Sequence, residues 1–284
     1  MSKLRVTPIN IQKVKGTEVV SLPDLVATEE PLEIRLGFGE LENRQEKRVA
    51  VIMRTPSNDF ELALGFLFTE GIIQAPDQIL SIKYCTDRGK IEEEGNVVRV
   101  ELKPSIAVDE KVFDRNFYAS SSCGVCGKSS IESLESQCVF KTSKPTEKLS
   151  VSLVGKLPET LRTEQAVFEH TGGLHSVGLF DLTGKMIIQK EDVGRHNALD
   201  KVVGFGLENH LLPFHNHILV FSGRASFELL QKATMAGAHF CVAIGAPSSL
   251  ALETAQTNGI CLIGFTKPNS FNCYTYPEYL DFES

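Results

Sequence analysis

The sequence predicts an α/β (α+β) protein of two units: a smaller, β-rich α+β domain over residues 1–147 and a layered α/β domain with a mixed sheet over residues 148–284. Three observations carry that prediction. In the first third the apolar residues alternate or fall in β-branched runs, with one strong helical pattern after Asn58. After residue 148 a hairpin pattern precedes strand–helix repeats, as expected where helices cover a sheet. Between the halves, Lys141-Thr142-Ser143-Lys144-Pro145-Thr146-Glu147-Lys148 is polar and holds a proline, the composition of a linker.

In chain order, Thr17–Ser21, Leu32–Leu36 and Arg48–Met53 read as strands. Asn58 with Glu61 three residues on looks like a capping box that opens a helix. Leu62, Ala63, Phe66 and Leu67 continue it at helical spacing, and Gly71 ends it. Ile79–Cys85 and Asn96–Leu102 form a strand pair around a polar turn, and Lys128–Ser136 begins a helix. Beyond the linker a helix ends near Phe168, and strands follow at Leu174–Asp181 and Lys185–Gln189. Helices at Asn197–Glu208, Ser226–Ala236 and Ser249–Asn258 alternate with strands at His217–Phe221, Cys241–Ile244 and Ile260–Phe265.

The bulk properties exclude several classes. A net charge of −7 argues against a broad nucleic-acid surface. No run approaches the roughly 20 apolar residues of a membrane span. Met1–Val6 lacks the apolar core of a signal peptide, so a cytoplasmic protein is expected. Seven scattered cysteines do not form a secreted disulfide framework. Cys85, Cys241 and Cys261 lie in apolar runs and read as core residues; Cys138 and Cys273 carry no assignment.

Chemistry concentrates in Ser120-Ser121-Ser122-Cys123-Gly124-Val125-Cys126-Gly127-Lys128. Cys123 and Cys126 sit among Gly and Ser rather than large apolar residues, with a lysine close by. That setting favours a reactive thiolate. The spacing fits a redox pair, half of a zinc site or a sulfur carrier. A zinc site lacks a second Cys-x-x-Cys and would need Cys138 and a histidine.

Four polar or Gly-rich junctions follow in the second half. They are Thr171-Gly172-Gly173-Leu174-His175, Glu191-Asp192-Val193-Gly194-Arg195-His196-Asn197, Ser222-Gly223-Arg224-Ala225-Ser226 and Ala246-Pro247-Ser248-Ser249. In open α/β sheets ligands gather where strands end and helices begin. Helix N-termini there favour phosphate, and Arg195 or Arg224 can grip it bidentately. Each junction alone is equally a turn, a cap or a surface ion pair. Together they predict a site for an anionic, nucleotide-like ligand. His170, His175 and His196 lie nearby and read as hydrogen-bonded scaffolding more readily than as catalysts. His210, His215 and His217 give no reason to expect a metal.

The order of elements in this half looks like the cytidine-deaminase fold, a three-layer domain with a mixed sheet. Its zinc enzymes need H-x-E and P-C-x-x-C. Here the corresponding junctions read His196-Asn197-Ala198 and Pro247-Ser248-Ser249-Leu250-Ala251. Without thiols or the glutamate, zinc deamination is excluded and no zinc is expected.

The chain resembles the FdhD family, the formate dehydrogenase accessory sulfurtransferases. The resemblance rests on the run from Arg54-Thr55-Pro56-Ser57-Asn58-Asp59 through Glu70-Gly71, on Cys123-Gly124-Val125-Cys126-Gly127, and on the first three junctions, the second continuing to Lys201. It implies a cytoplasmic homodimer that takes sulfane sulfur from a cysteine desulfurase. The sulfur passes to the molybdenum bis(molybdopterin guanine dinucleotide) cofactor, bound as substrate, before that cofactor enters formate dehydrogenase. By this resemblance Cys123 carries the persulfide and Cys126 is its partner. The family's cofactor-binding segment falls on Phe265-Thr266-Lys267-Pro268-Asn269-Ser270, where Lys267 and Ser270 stand at positions that tend to be arginine. Two competing readings are a chaperone that binds the molybdenum cofactor without handling sulfur, and a thiol–disulfide oxidoreductase.

Overall fold

The computed structural model describes residues 3–85, 94–108, 117–118, 138–140 and 144–283. Cys123, Cys126 and the helix expected at Lys128–Ser136 lie outside them.

Two long strands, β1 (Val6–Lys15) and β2 (Glu18–Ala27), pair as an antiparallel ribbon and, among the described residues, with no other strand. The sequence pointed to a strand at Thr17–Ser21 alone. With prolines at 8 and 23 and mostly exposed residues, neither strand shows the alternation of a sheet facing a core. The next elements are β3 (Glu30–Phe38), β4 (Gln45–Arg54), α1 (Asp59–Thr69), β5 (Ile79–Tyr84), β6 (Val97–Leu102) and β7 (Phe117–Tyr118). Their strands form a sheet of order β5-β6-β3-β4-β7, in which β3–β6 and β4–β7 are parallel.

The second half contains β8 (Leu149–Ser150), α2 (Val151–Val154), α3 (Leu157–Thr163), α4 (Ala166–Thr171), β9 (His175–Asp181), β10 (Met186–Asp192) and α5 (Arg195–Glu208). It continues with β11 (His217–Phe221), α6 (Phe227–Met235), β12 (Phe240–Ala243), α7 (Ser249–Thr257), β13 (Cys261–Lys267), β14 (Ser270–Cys273) and β15 (Leu280–Asp281), which pairs with β8. The main sheet has the order β10-β9-β11-β12-β13-β14; β11, β12 and β13 run parallel and its other pairs are antiparallel. The mixed sheet expected from the alternating pattern is present. Among the described residues no helix is long and apolar enough to cross a membrane.

Strand periodicity sorts the side chains of this sheet into two layers. Val177, Leu179, Leu219, Phe221, Cys241 and Leu262 enter one core, with α1, α5, α6 and α7. Phe180, Ile218, Val220, Phe240, Val242 and Ile263 enter the other, with Val154, Leu157 and Leu161 from α2 and α3. The first core also takes Leu32, Ile34 and Leu36 from β3 and Val98, Val100 and Leu102 from β6. One apolar cluster therefore crosses the expected domain boundary at 147/148.

The two halves meet where α1 crosses α5. A β-carbon at Gly65 would overlap the carbonyl oxygen of Asp200, and one at Gly204 would overlap that of Glu61. Only paired glycines let these backbones approach so closely. Buried charges flank the crossing. Arg54 forks onto Asp59 at 3.0 and 2.8 Å. Lys201 donates to Asp192 at 2.7 Å and to the carbonyls of Thr55 and Glu191. Lys232 reaches Asp200 at 3.0 Å and Glu70 at 3.1 Å. The capping box expected at Asn58 does not form: Asn58 takes a left-handed φ of 54° and its side chain caps no backbone amide. Its Nδ2 instead donates to Glu61, which also accepts from Lys190.

Replacing Gly204 by alanine is expected to cost about 3 kcal/mol or more, because two helix backbones must separate. G16A, at the open tip of the β1–β2 ribbon, is expected to cost only roughly 1 kcal/mol for its left-handed φ. Urea denaturation of both variants measures the difference; equal losses would contradict the close crossing.

Candidate ligand site at the sheet edge

Because β11, β12 and β13 are parallel, their C-terminal ends share one edge of the sheet. β9 and β10 bring the opposite ends of an antiparallel pair to the same edge, with His175 opposite Asp192 and Val177 opposite Phe221. All four polar junctions therefore converge. Hydrogen bonds lace them together beyond the strand ends. Ser176 N donates to Ser222 Oγ at 2.8 Å, and Ser222 N returns a bond to Ser176 O at 3.0 Å. Gly245 N reaches Gly223 O at 3.0 Å, Ser248 N reaches Ala225 O at 3.0 Å, and Phe265 N reaches Gly245 O at 3.1 Å.

A cavity of about 370 Å³ opens at this edge. Gly172, Gly173, His175 and Ser222, all anticipated from sequence, line it together with Leu174. Arg162, Gln165, Phe168 and Ile244 complete the lining and were not anticipated. The first three belong to α3, α4 and the link between them, short helices whose sequence carries no junction motif. Their one signal is an aromatic and an arginine at spacings of three ahead of Gly172-Gly173. The Arg162 guanidinium lies 5.4 Å from the centre of the Phe168 ring. Glu191 holds α4 in place by accepting from Val167 N and Phe168 N, at 3.3 and 2.9 Å. The first residue of the Glu191–Asn197 junction thus builds the cavity wall rather than facing a ligand.

His175 is half-buried, and desolvation together with the nearby charges of Arg195 and His196 lowers its pKa below 6.5. It is therefore neutral at pH 7, with one ring nitrogen to donate and one to accept. Gly223 brings bare backbone beside it: a β-carbon there would lie 3.5 Å from His175 Nδ1. His196 Nε2 lies 3.4 Å from Ser226 Oγ and 3.7 Å from Glu228, whose carboxyl the His196 hydrogen bond pulls down to about 2. Arg195 and Arg224 have no carboxylate partner among the described residues, and the Arg224 stem packs against Gly245.

Other anticipated residues sit at the edge without lining the cavity. The Ser248 hydroxyl caps α7 by accepting from Ala251 N at 3.2 Å, and Ser249 is the exposed first residue of that helix. Phe265–Ser270 forms the β13–β14 turn, beyond β12. Phe265 is exposed at a φ of 50°, while the Thr266 hydroxyl is buried against Ala243 O at 2.9 Å. Lys267 opposes Ser270 across the turn; Asn269 is exposed, and the Pro268 carbonyl lies against Gly155. The Arg54–Glu70 stretch contributes to the helix crossing and not to the cavity.

The fold and the edge cavity define a class: a mixed-sheet α/β protein with a cavity at the carboxyl ends of its parallel strands, where ligands gather in such sheets. A model of the FdhD/NarQ family matches residues 27–281, and the chain belongs to that family. A protein of Mycolicibacterium paratuberculosis named sulfur carrier protein FdhD is 45% identical over 262 residues, covering 91% of this chain and 92% of that one. One of the same name from Sulfolobus acidocaldarius is 40% identical over 278 residues, covering 98% and 100%. A crystal structure from Desulfotalea psychrophila, of a protein named provisionally as a formate dehydrogenase accessory protein, superposes with a TM-score of 0.73. It covers 98% of this chain and all of its own at 20% identity, so the likeness is one of fold.

The lowered pKa of His175 has a definite sign for stability. Its unfolded form takes up a proton more readily than its folded form. The contribution is therefore complete above 6.5 and is lost as pH falls through the lower folded value. Half-buried His215 and His217 act in the same direction. Denaturation midpoints measured from neutral to acidic pH should fall, and H175Q should flatten part of that fall; an unchanged slope would contradict the burial of this ring.

Proposed function

We propose that the protein is a sulfur carrier, a sulfurtransferase that moves persulfide sulfur from a cysteine desulfurase to a molybdenum bis(molybdopterin guanine dinucleotide) substrate. Formate dehydrogenase then receives the sulfurated cofactor. The observation that carries this reading is the edge cavity, built from the family's own motif residues in a chain aligned nearly end to end with proteins named as sulfur carriers.

The cavity chemistry suits one nucleotide of such a substrate. Phe168 and Ile244 offer apolar surface to a planar base, while Gln165, Arg162 and Ser222 offer hydrogen bonds to its edge. Arg195, Arg224 and the backbone of the Gly-rich junctions suit its phosphates. Lys267, Ser270 and their turn suit the second nucleotide, one strand farther along the edge. In this reading the layered half is a cytidine-deaminase-like domain that has exchanged zinc chemistry for nucleotide binding. The carrier works in the cytoplasm as a homodimer.

Sulfur transfer needs a thiolate that attacks the terminal sulfur of the donor persulfide and releases the donor thiolate. Cys123 takes that role. Cys126 then either accepts the sulfur in turn or attacks Cys123, closing a disulfide and releasing hydrosulfide.

Incubation with a cysteine desulfurase and cysteine should add the mass of one or more sulfur atoms, removable by dithiothreitol and absent in C123A. A wild-type protein that gains no sulfur would overturn the carrier reading. Guanosine diphosphate should bind with an affinity measurable by calorimetry. R162A should weaken it on the order of tenfold, the loss of one charge-assisted hydrogen bond. Unchanged affinity would remove the base from this cavity.

A further inference from the structure

A second pair of thiols lies on the β13–β14 hairpin. Cys261 is fully buried in the core beneath the sheet, and Cys273 is half-buried against that core. Ile263 opposes Cys273 across the hairpin, so the two cysteines are diagonal neighbours, with their Sγ atoms 4.0 Å apart. A disulfide requires an approach to about 2 Å. β14 can supply that movement. It is four residues long, ends the order of the sheet, and its register with β13 breaks between Gly264 and Lys267.

The two sulfurs are chemically unlike. The hydrogen bond to Cys273, and then burial, push the Cys261 thiol up, and the same hydrogen bond lowers Cys273. The proton stays on the buried sulfur and the half-buried one is the nucleophile.

We propose that Cys261 and Cys273 form a second dithiol, separate from Cys123 and Cys126, which hydrogen peroxide oxidises to a disulfide that clamps the β13–β14 hairpin. The Cys273 thiolate attacks the peroxide, breaking its O–O bond, to give a sulfenic acid and hydroxide, which is protonated to water. Cys261 then attacks the Cys273 sulfur: the S–S bond forms, the S–O bond breaks, and the hydroxyl leaves as water with the Cys261 proton. Two thiols lose two electrons and one peroxide becomes two waters. The clamped hairpin is the one whose turn holds Phe265–Ser270, but the proposal does not depend on what that turn binds.

The test uses the full chain with Cys123→Ser and Cys126→Ser, treated with dilute hydrogen peroxide and mapped by chymotryptic digestion without reduction. The expected product joins the peptides of Cys261 and Cys273, lighter by two hydrogens, and dithiothreitol reverses it. Cys273→Ser, a change at the half-buried position, should keep the thermal melting transition and abolish the cross-link. In Cys261→Ala, which also removes the hydrogen bond that lowers Cys273, Cys273 should react more slowly and, once oxidised, proceed to the sulfinic acid for want of a resolving thiol. Oxidation of Cys273 beyond sulfenic acid while Cys261 stays free in the parent, a cross-link to another cysteine, or no reaction at Cys273 would each overturn the proposal.

Discussion

The close crossing of α1 over α5 is the constraint on which the rest of the structure depends. Gly65 and Gly204 remove the side chains that would hold the helices apart, and each backbone then lies against a carbonyl of the other helix. Such an approach brings charged groups of both halves out of water. Lys201 and Asp192 are both fully buried, and Thr55 from the first half bonds both through its backbone, donating its N–H to Asp192 and accepting from Lys201 at its carbonyl, while its hydroxyl accepts from Val193 N. A buried pair of this kind adds little net stability, but breaking it leaves an uncompensated charge, which penalises any other docking of the halves.

That docking also sets the edge of the main sheet. Asp192 ends β10 and accepts from Gly194 N and Asn197 Nδ2, and Asn197 Nδ2 also reaches Met53 O in the first half. The start of α5, with Arg195 and His196, is thereby aimed at the sheet edge beside His175. The cavity follows from two independent facts: parallel β11 and β12 leave loops at one end, and α3 and α4 fold back over that end. Glu191 connects them, since one carboxylate supports α4 while Arg5 bonds to it from just ahead of the β1–β2 ribbon.

Much of the second half was legible because it obeys simple periodicities. Strand–helix alternation from His217 to Phe265 gave element positions within a few residues of those observed, since short apolar strand runs are separated by polar, Gly-rich turns and by longer helical stretches. The helix that follows Asn58 was legible, but its purpose was not. Nothing in Phe60-Glu61-Leu62-Ala63-Leu64-Gly65 says that Gly65 faces another backbone. The β1–β2 ribbon was read only in part because a pair of strands with no core to face has no alternation to display. Asn58 looked like a cap because its residue type and spacing to Glu61 fit one; the left-handed backbone there turned its side chain to a different bond.

Sequence by itself determined which residue types had to gather at strand ends. Glycines where backbones approach, arginines where anions suit, and serines where amides need partners are local preferences that survive in any fold. It also marked Cys123 and Cys126 as an expected reactive pair, and both lie outside the described residues. Only tertiary structure decided which of those residues share a cavity. Gly172, Gly173, His175 and Ser222 meet there because β9 and β11 pair antiparallel, whereas Ser248 is held by its own helix and Phe265–Ser270 lies a strand away. Arg162 and Gln165 join them with no motif of their own. A short helix acquires its role from what it covers, and that is settled by long-range packing rather than by neighbours in the chain.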